Sequence, residues 1–347
     1  MKRTFYYKTK ESMIKMRVEK HMKQKRKRKI IFETTLSLLI LLAIVLGAAT
    51  GYYGSKVLNF LDAVSEEEPQ SEEEIVQKTA QIKNTEPFSV LILGIDAEDE
   101  GAARSDTIIV ATLNPKEESM KLVSIPRDTY ITLPDGRREK INAAYASGGS
   151  LLAREMISNY LDIPIDFYAS LDFDGLIHLV DAVDGITVNS DLEFTWDGHE
   201  FKKGYQVIDG EAALAYSRMR KKDPRGDFGR QDRQKEVIVS VLKKLNSTKS
   251  VTHFNEILGA IGPNLKTNAR SEQMVGMALS YSPVLKNIDQ ITLDGEGRKT
   301  YFPSYDLDLY VWEADEFALL ELQNDLKDHL NIRGSSNMTP NKATIVQ

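Results

Sequence analysis

Five arginines lie close together in the stretch AYSRMRKKDPRGDFGRQDRQ, which runs from Ala215 to Gln234. The whole chain of 347 residues has a net charge of −6, so this concentration of basic groups is local. A guanidinium group stays charged at physiological pH, and its planar fork matches the oxygens of a phosphate. The stretch therefore predicts a site for a phosphate-bearing ligand. Its arginines are Arg218, Arg220, Arg225, Arg230 and Arg233.

The spacing of these arginines indicates how the chain folds around them. Arg218 and Arg220 are two residues apart, so they cannot share one helix face, and a helix is expected to end there before a loop over KKDPRGD. Arg230 and Arg233 are three apart and share a face at the start of the next helix, where the helix dipole favours an anion. The alternative for every one of these arginines is a surface ion pair. The candidate partners in the same stretch are Asp223, Asp227 and Asp232.

Two further segments place charged residues at the ends of predicted strands. In LGIDAEDEGAARSDT, Asp96 closes one strand, and Arg104 and Asp106 open the next. In SIPRDTYI, Arg127 and Asp128 follow a third strand. Ligands of α/β proteins bind in loops at strand ends, so all three segments are expected to meet in one crevice. Two carboxylates are enough protein ligands for a Mg²⁺ ion that also binds substrate phosphates, which makes Asp96 and Asp106 a candidate metal pair.

Composition excludes several other kinds of site. The chain has no cysteine, which rules out disulfides, thiolate zinc sites and a cysteine nucleophile. Its five histidines are scattered without metal-ligand spacing, and the sequence contains no Walker A motif. The predicted ligand is therefore a polyanion, such as a pyrophosphate, that binds arginines and Mg²⁺ outside a P-loop.

Strands and helices alternate along the part of the chain that carries these residues. Apolar runs predict strands at 88–96, 106–114, 120–126, 165–172 and 185–190, and helices are expected at 147–162, 173–183, 209–220 and 228–247. This alternation predicts an α/β fold with a mixed sheet flanked by helices. Residues 251–332 are expected to add mainly helices, with one late strand at 290–295, and to complete the same domain. In the helix at 147–162, the side chains expected to face inward are Leu151, Leu152, Met156, Ile157 and Tyr160.

The N-terminal part of the sequence predicts a membrane anchor. Residues 1–29 contain 13 Lys and Arg residues against two acids, and residues 30–53 form an apolar run long enough to span a bilayer as a helix. The basic flank places residues 1–29 in the cytoplasm and the rest outside the cell. A cleaved signal peptide is the alternative, although the apolar run exceeds the usual length of about 7–15 residues. Residues 54–87 are expected to form an acidic extracellular stalk, and residues 333–347 a disordered tail.

Several motifs resemble those of one family. The segments LILGIDAEDEGAARSDTIIVATLNP, KLVSIPRDTYITLPDG, KINAAYASGG, IPIDFYASLDFDGLIHLVDAVDGITV and GEAALAYSRMRKKDPRGDFGRQDRQKEVI are similar to the LytR-CpsA-Psr family of Gram-positive cell-envelope proteins. The resemblance covers about residues 88–247, with the catalytic domain expected at 88–250. It implies transfer of an anionic glycopolymer, such as wall teichoic acid, from an undecaprenyl-pyrophosphate carrier to peptidoglycan. It also implies an apolar pocket for the polyprenyl chain, with the helices near 148–182 and 228–282 as candidate walls.

The resemblance also implies roles for individual residues. Asp96 and Asp106 match the Mg²⁺ ligands of the family. Independently of the resemblance, Asp128 is a candidate general base because it follows Arg127 in the same loop, with a structural hydrogen bond to the loop backbone as the alternative. Ala97 departs from the pattern, because this position is often arginine in relatives. The residues expected at the pyrophosphate are Arg104, Arg127, Lys140, Arg218, Arg220, Arg230, Arg233 and Gln234.

Two other functions use the same residues. A membrane-anchored phosphohydrolase would transfer the phosphoryl group to water instead of a sugar hydroxyl. A non-enzymatic envelope or regulatory protein would only bind the polyprenyl lipid, and the carboxylates that accompany the arginines disfavour it. Nucleic acid is not an expected partner, because the folded part is acidic and is expected across the membrane, and the basic tail has no helix-turn-helix pattern.

Overall fold

The structure is a computed structural model that describes residues 71–96, 104–246 and 264–332, together with Ser55, Val64 and Ser65. The expected basic segment, the expected membrane span at 30–53, the helix expected at 251–262 and the tail at 333–347 lie outside the described residues. No helix in the described part of the chain is long and apolar enough to cross a membrane.

The core of the fold is a mixed six-stranded sheet. Its strand order is β11-β6-β1-β2-β3-β12, and β1 is antiparallel to β2 but parallel to β6. The other neighbours are antiparallel at β2–β3 and β6–β11 and parallel at β3–β12. These strands are β1 Phe88–Asp96, β2 Arg104–Asn114, β3 Ser119–Ser124, β6 Phe167–Asp172, β11 Leu265–Thr267 and β12 Asn287–Thr292.

Short strand pairs and helices surround this sheet. The paired strands are β4 Tyr130–Thr132 with β5 Arg138–Lys140, β7 Ile186–Ser190 with β10 Gly204–Ile208, β8 Phe194–Trp196 with β9 His199–Phe201, and β13 Gly295–Phe302 with β14 Leu307–Ala314. The helices are α1 Glu72–Lys83, α2 Ala143–Leu161, α3 Phe173–Ala182, α4 Gly210–Arg218, α5 Asp227–Leu245, α6 Ser271–Ser280 and α7 Glu316–His329, and a short 3₁₀ helix covers Ser282–Lys286. The predicted α/β class, with a mixed sheet flanked by helices, is confirmed.

The alternation of side chains along β1 explains why helices cover both faces of the sheet. Leu91 and Leu93 pack with α2 and α7 on one face, whereas Phe88 packs with α5 and α6 on the other. Successive residues of a strand point to opposite faces, so a strand that is apolar at nearly every position needs cover on both sides. A second cluster joins α3, α4 and α5 to the short strands around Phe194 and Phe201, and it fixes the corner that carries the arginines.

The acidic segment expected to be a solvated stalk contains a folded helix, α1. Ser71 caps its N-terminus by accepting a hydrogen bond from the Glu74 amide. Three glutamates in the first turn and Lys83 in the last turn complement the helix dipole. Ile82 is 2% exposed and packs beside α6, where Gln273 donates a hydrogen bond to Thr79. The acidic residues at the start of this segment therefore stabilise the N-terminus of a helix.

Two other local expectations were wrong. The segment 295–314 forms the hairpin β13–β14, where helices and a single late strand were expected. Many of its residues are exposed, so it lacks the strong apolar alternation that identifies a strand. Leu151 is 43% exposed instead of facing inward. Gly148 and Gly149 have non-helical backbone angles. The residues that follow them therefore determine which side of α2 faces inward.

A buried histidine ties the last helix to the sheet. The imidazole of His329 lies 2.7 Å from the Thr112 hydroxyl and 2.9 Å from the Ser119 hydroxyl, and Asn114 donates to the His329 carbonyl. Burial lowers the pKa of His329 to about 4, and the positive charge of Lys121 acts in the same direction. The negative charges of Asp325 and Asp289 oppose this shift.

We expect the pKa of His329 to make folding sensitive to acid. The unfolded chain binds a proton near pH 6.5, whereas the folded chain resists protonation until about pH 4. The contribution of neutral His329 to the free energy of unfolding is therefore complete above pH 6.5. It decreases by up to about 3 kcal/mol as the pH falls from 6.5 to 4. Denaturant titration of the full chain at pH 7, 5.5 and 4 measures it. The variant His329→Gln cannot titrate, so its stability should fall less over this range, and an equal fall in both proteins contradicts the prediction.

Candidate active site

A cavity of about 330 Å³ lies beside the central sheet, within the size range of small-molecule sites. One part of its lining is apolar and comes from β1, β6, α3, α4 and α5. Of the helices expected to form the pocket, α3 and α5 contribute, whereas α2 packs on the other face of the sheet. The apolar lining residues are Ile92, Leu93, Leu171, Phe173, Leu176, Leu214, Val237 and Ile238.

The rest of the cavity lining is charged or polar. Four basic residues, four acidic residues and Gln234 reach the same cavity, together with Trp196. An apolar wall that continues into a cluster of opposite charges suits an amphiphilic ligand with an anionic end. The charged lining residues are Asp96, Asp106, Asp172, Asp197, Arg218, Arg220, Lys221 and Arg230.

Arg218 and Arg220 reach the cavity because α4 ends between them. Arg218 is the last residue of α4, and Met219 has the extended backbone angles φ −61° and ψ 126°. The predicted helix end is therefore confirmed. The guanidinium carbon of Arg218 lies 4.7 Å from the centroid of the Phe173 ring, a distance that favours cation–π attraction and orients the side chain. Neither arginine forms an ion pair with a residue that the structure describes.

Arg230 is the most buried cation of the cavity. It pairs with Asp227 at 2.8 Å, and its Nε–H group is buried without a hydrogen-bond partner among the described residues. Burial lowers the pKa of Arg230; Arg127 and Arg220 act in the same direction, and Asp227 and Asp106 oppose them. The positive charges of Arg127 and Arg220 thus act unfavourably on the Arg230 guanidinium. A bound anion would relieve this repulsion and accept the unpaired Nε–H.

Asp96 and Asp106 face the same cavity from neighbouring strands. Asp96 ends β1, and β2 runs antiparallel beside it, so Arg104 lies directly opposite Asp96 in the register. Asp106 accepts a hydrogen bond from Nη1 of Arg127 at 2.5 Å. The structure therefore brings together the two carboxylates that the sequence paired. Ala97 lies outside the described residues.

An alternating series of charges extends from Asp106 away from the cavity. Nε of Arg127 lies 3.9 Å from Asp128, and Nζ of Lys140 lies 2.6 Å from the other oxygen of Asp128. Asp128 and Lys140 are not part of the cavity lining. Lys140 therefore neutralises Asp128, and this geometry favours a structural role for Asp128 over a role as general base.

Arg233 does not reach the cavity, although the sequence grouped it with Arg230. Its side chain is 2% exposed and donates to Asp223 at 2.6 Å and to the carbonyl oxygens of Tyr216 and Met219. Burial by itself raises the pKa of Asp223, but hydrogen bonds from Arg225 and Arg233 hold it at about 2. The ion-pair alternative is therefore the observed one for Arg225 and Arg233, which hold the α4–α5 corner.

Four residues of the charged part of the cavity were not predicted from the sequence, namely Asp172, Trp196, Asp197 and Lys221. Trp196 ends β8, and its indole Nε1–H is buried without a partner in the described part of the chain. The signal was the Asp197-Gly198 dipeptide, whose positive φ angles of 47° and 81° form the turn of the β8–β9 hairpin. Lys222 donates to the Thr195 carbonyl at 2.6 Å, which fastens this hairpin to the loop after α4.

The fold and the cavity together define an α/β protein with a cavity that combines an apolar wall and a cluster of arginines. The chain belongs to the LytR_cpsA_psr family, whose sequence pattern matches residues 54–328. It is 45% identical over 256 residues to an Enterococcus faecalis protein named polyisoprenyl-teichoic acid–peptidoglycan teichoic acid transferase TagU. The aligned residues cover 73% of this chain and 82% of that protein.

Solved structures show the same relationship. The crystal structure of B. subtilis TagU superposes with a TM-score of 0.57 at 38% identity and covers 74% of this chain and 100% of that chain. A structure titled TagT bound to LIIa-WTA superposes with a TM-score of 0.60 at 31% identity and covers 72% of this chain and 92% of that chain. The family indicated by the motifs is therefore confirmed over nearly all of the described residues.

Proposed function

We propose that this protein transfers an anionic glycopolymer of the teichoic acid type from an undecaprenyl-pyrophosphate carrier to peptidoglycan. The observation that carries the proposal is the cavity, in which an apolar wall continues directly into four basic residues. A polyprenyl pyrophosphate has the matching form, an apolar chain joined to a polyanion. The related TagU proteins are named as transferases of this kind.

The substrate is bound by both parts of the cavity. The polyprenyl carbons next to the pyrophosphate pack between Phe173, Leu176 and Val237, where water is excluded. Arg218, Arg220 and Arg230 donate hydrogen bonds to the phosphate oxygens. This arrangement holds the lipid-linked phosphorus at the boundary between apolar wall and charged lining, within reach of an acceptor outside.

The reaction is a phosphoryl transfer. A sugar hydroxyl of peptidoglycan attacks the phosphorus that bears the glycopolymer, a new P–O bond forms, the bond to undecaprenyl phosphate breaks, and the hydroxyl proton passes to water. Catalysis of such transfers rests mainly on positioning and on neutralising charge. Arg218, Arg220 and Arg230 stabilise the negative charge on the non-bridging and leaving oxygens, and Arg127 holds the Asp106 carboxylate in place.

The carboxylates fit a Mg²⁺ ion that is shared with the substrate. Asp96 and Asp106 line one cavity, and no group of three or more His, Cys, Asp or Glu side chains gathers as a metal site within the described ranges. Two carboxylates suit an ion whose other ligands are water and substrate phosphates. When bound, Mg²⁺ would supply positive charge to the phosphate oxygens.

Product analysis tests the proposed transfer against hydrolysis. The full chain in detergent is mixed with a glycopolymer linked to undecaprenyl pyrophosphate, with and without uncrosslinked peptidoglycan. Transfer predicts a phosphodiester between polymer and peptidoglycan, formed together with undecaprenyl phosphate. Release of free phosphorylated polymer at the same rate in both mixtures identifies a phosphohydrolase, and no turnover in either identifies a lipid-binding protein.

We also propose that residues 30–53 anchor the protein in the membrane with residues 54–347 outside. The 13 Lys and Arg residues before the apolar run support this topology. Protease added to intact protoplasts is expected to degrade residues 54–347. Complete protection of this part in intact protoplasts, with digestion after lysis, contradicts the topology.

A further inference from the structure

The β13–β14 hairpin exposes aromatic side chains on one face. Tyr301 is 53% exposed and Tyr310 is 50% exposed. Tyr310 lies opposite Lys299 in the register, and Tyr301 lies opposite Asp308. Opposed residues share a face, and alternate residues along each strand do so too. The two tyrosines are therefore diagonal neighbours on one face, between a lysine and an aspartate.

The opposite face of the hairpin is fixed to the domain. Val311 and Phe302 are fully buried, and the Phe302 ring lies 5.7 Å from the ring of Tyr130. Arg298 donates two hydrogen bonds to Glu313, at 2.6 and 2.8 Å, and its guanidinium carbon lies 5.5 Å from the Tyr130 ring. The exposed tyrosines are thus carried by a rigid support.

The rings themselves have defined positions. The hydroxyl of Tyr301 donates to Asp306 at 2.6 Å. The ring of Tyr310 lies across Gly297, because a Cβ at position 297 would fall 2.2 Å from the Tyr310 hydroxyl oxygen. The absence of a side chain at Gly297 therefore lets Tyr310 lie back along the strand. Aromatic side chains ordered in this way lose little conformational entropy when they bind a partner.

This face is continuous with the active site. The Trp312 amide donates to the Asp128 carbonyl at 2.9 Å, and Trp312 forms a β-bridge with Thr129, two residues from Arg127. Burial raises the pKa of Tyr310, and the negative charges of Asp128 and Asp227 raise it further. Asp128 lies 3.9 Å from Nε of Arg127, and Asp227 pairs with Arg230. The hairpin is thus attached to the loop that carries Arg127, whose guanidinium donates to Asp106 of the cavity lining.

We infer that the Tyr301–Tyr310 face binds the sugar chain of the peptidoglycan acceptor, an inference that rests on the proposed function. The apolar faces of sugar rings stack on tyrosine rings, and sugar hydroxyl and amide groups hydrogen-bond to the phenol groups, Lys299 and Asp308. The same charged neighbours interrupt the apolar surface, which disfavours a lipid bilayer or an apolar protein surface as the occupant. Bound there, the chain places a hydroxyl group next to the phosphate held by the arginines.

The test compares acceptor binding in the full chain and in the double variant Tyr301→Ala/Tyr310→Ala. The probe is purified insoluble peptidoglycan, and the readout is the fraction of protein that co-sediments with it. We expect apparent affinity to fall about 10-fold, with a similar rise in KM for soluble glycan strands. Tyr205→Ala is the matched control, because Tyr205 is 82% exposed on β10, in another two-stranded sheet. It is expected to bind as the wild type does.

Three outcomes decide the inference. The variant Tyr301→Phe/Tyr310→Phe keeps both rings, and retention of most glycan binding supports stacking. Unchanged co-sedimentation in the double alanine variant overturns the inference, as does a loss of binding to phosphatidylglycerol vesicles without loss of glycan binding. Co-sedimentation needs no turnover, so failure of polymer transfer in the wild type would refute the proposed function and still leave the glycan-binding surface to be judged.

Discussion

Replacement of Arg218 or Arg220 by lysine is expected to lower glycopolymer transfer about 10- to 100-fold and to leave thermal stability nearly unchanged. Lysine keeps the charge but loses the planar fork, and a charge-assisted hydrogen bond contributes roughly 1.5–3 kcal/mol. Stability is spared because neither side chain pairs with a described acid, while Asp223 and Asp227 are held by other arginines. Transfer from a lipid-pyrophosphate donor and the melting temperature are measured for each variant.

The control for the arginine prediction is Arg137→Lys. Arg137 is exposed and pairs with Asp135 at 2.7 Å, so lysine should replace it with little effect, as is usual for surface pairs. Near-wild-type transfer in both Arg218→Lys and Arg220→Lys would refute the phosphate assignment for this pair. Arg230 would then be the remaining guanidinium of the cavity lining. A large fall in melting temperature would instead assign the two arginines a structural role.

The second large effect is expected for Asp106→Asn, which should reduce transfer about 100-fold or more. Asparagine has nearly the same shape but no charge, so it weakens both the 2.5 Å contact with Arg127 and the proposed hold on Mg²⁺. Loss of one preorganised electrostatic group at a reacting phosphate or carbonyl typically has this size. Transfer rate is measured as a function of Mg²⁺ concentration, and direct Mg²⁺ titration of the protein gives a readout that does not depend on turnover.

Two comparisons isolate the metal role of Asp106. Asp96→Asn should also raise the Mg²⁺ concentration needed for half-maximal transfer, because both carboxylates line the cavity. Asp135→Asn is the matched control on the surface and should leave this concentration unchanged. If both cavity variants keep wild-type transfer and Mg²⁺ affinity, the metal assignment is wrong. If transfer falls while Mg²⁺ affinity is unchanged, Asp106 acts by positioning Arg127 alone.

The sequence by itself determined the strands of the central sheet other than β11, and most residues of the charged cavity lining. Buried strands such as β1 are apolar at nearly every position, so hydrophobic periodicity identifies them without knowledge of their neighbours. The spacing of Arg218 and Arg220 similarly required a helix to end, because side chains two residues apart cannot share a helix face. Asp96 and Asp106 line one cavity, since antiparallel neighbours bring the end of β1 beside the start of β2.

Only the tertiary structure decided which cations face the cavity. Arg230 and Arg233 lie on nearly the same face of one helix. Arg230 nevertheless lines the cavity, whereas Arg233 forms an ion pair with the buried Asp223. Asp223 is placed by Gly229, where a Cβ would overlap its carboxylate, so the selection depends on the packing of a loop against a helix. The spacing of residues along a helix determines the direction in which each side chain points. Whether that side chain is buried, and where its countercharge lies, depends on segments distant in sequence.

The same reason explains the unexpected elements. Helix α1 depends on packing with α6, and the β13–β14 hairpin depends on the buried contacts of Phe302 and Val311 with the rest of the domain. Neither segment has a strong periodic pattern of its own, so local propensity does not identify it. Patterns within one segment thus determine how that segment folds. The shape of the cavity and its surroundings arises from contacts between segments, because each segment is stabilised only when the others are in place.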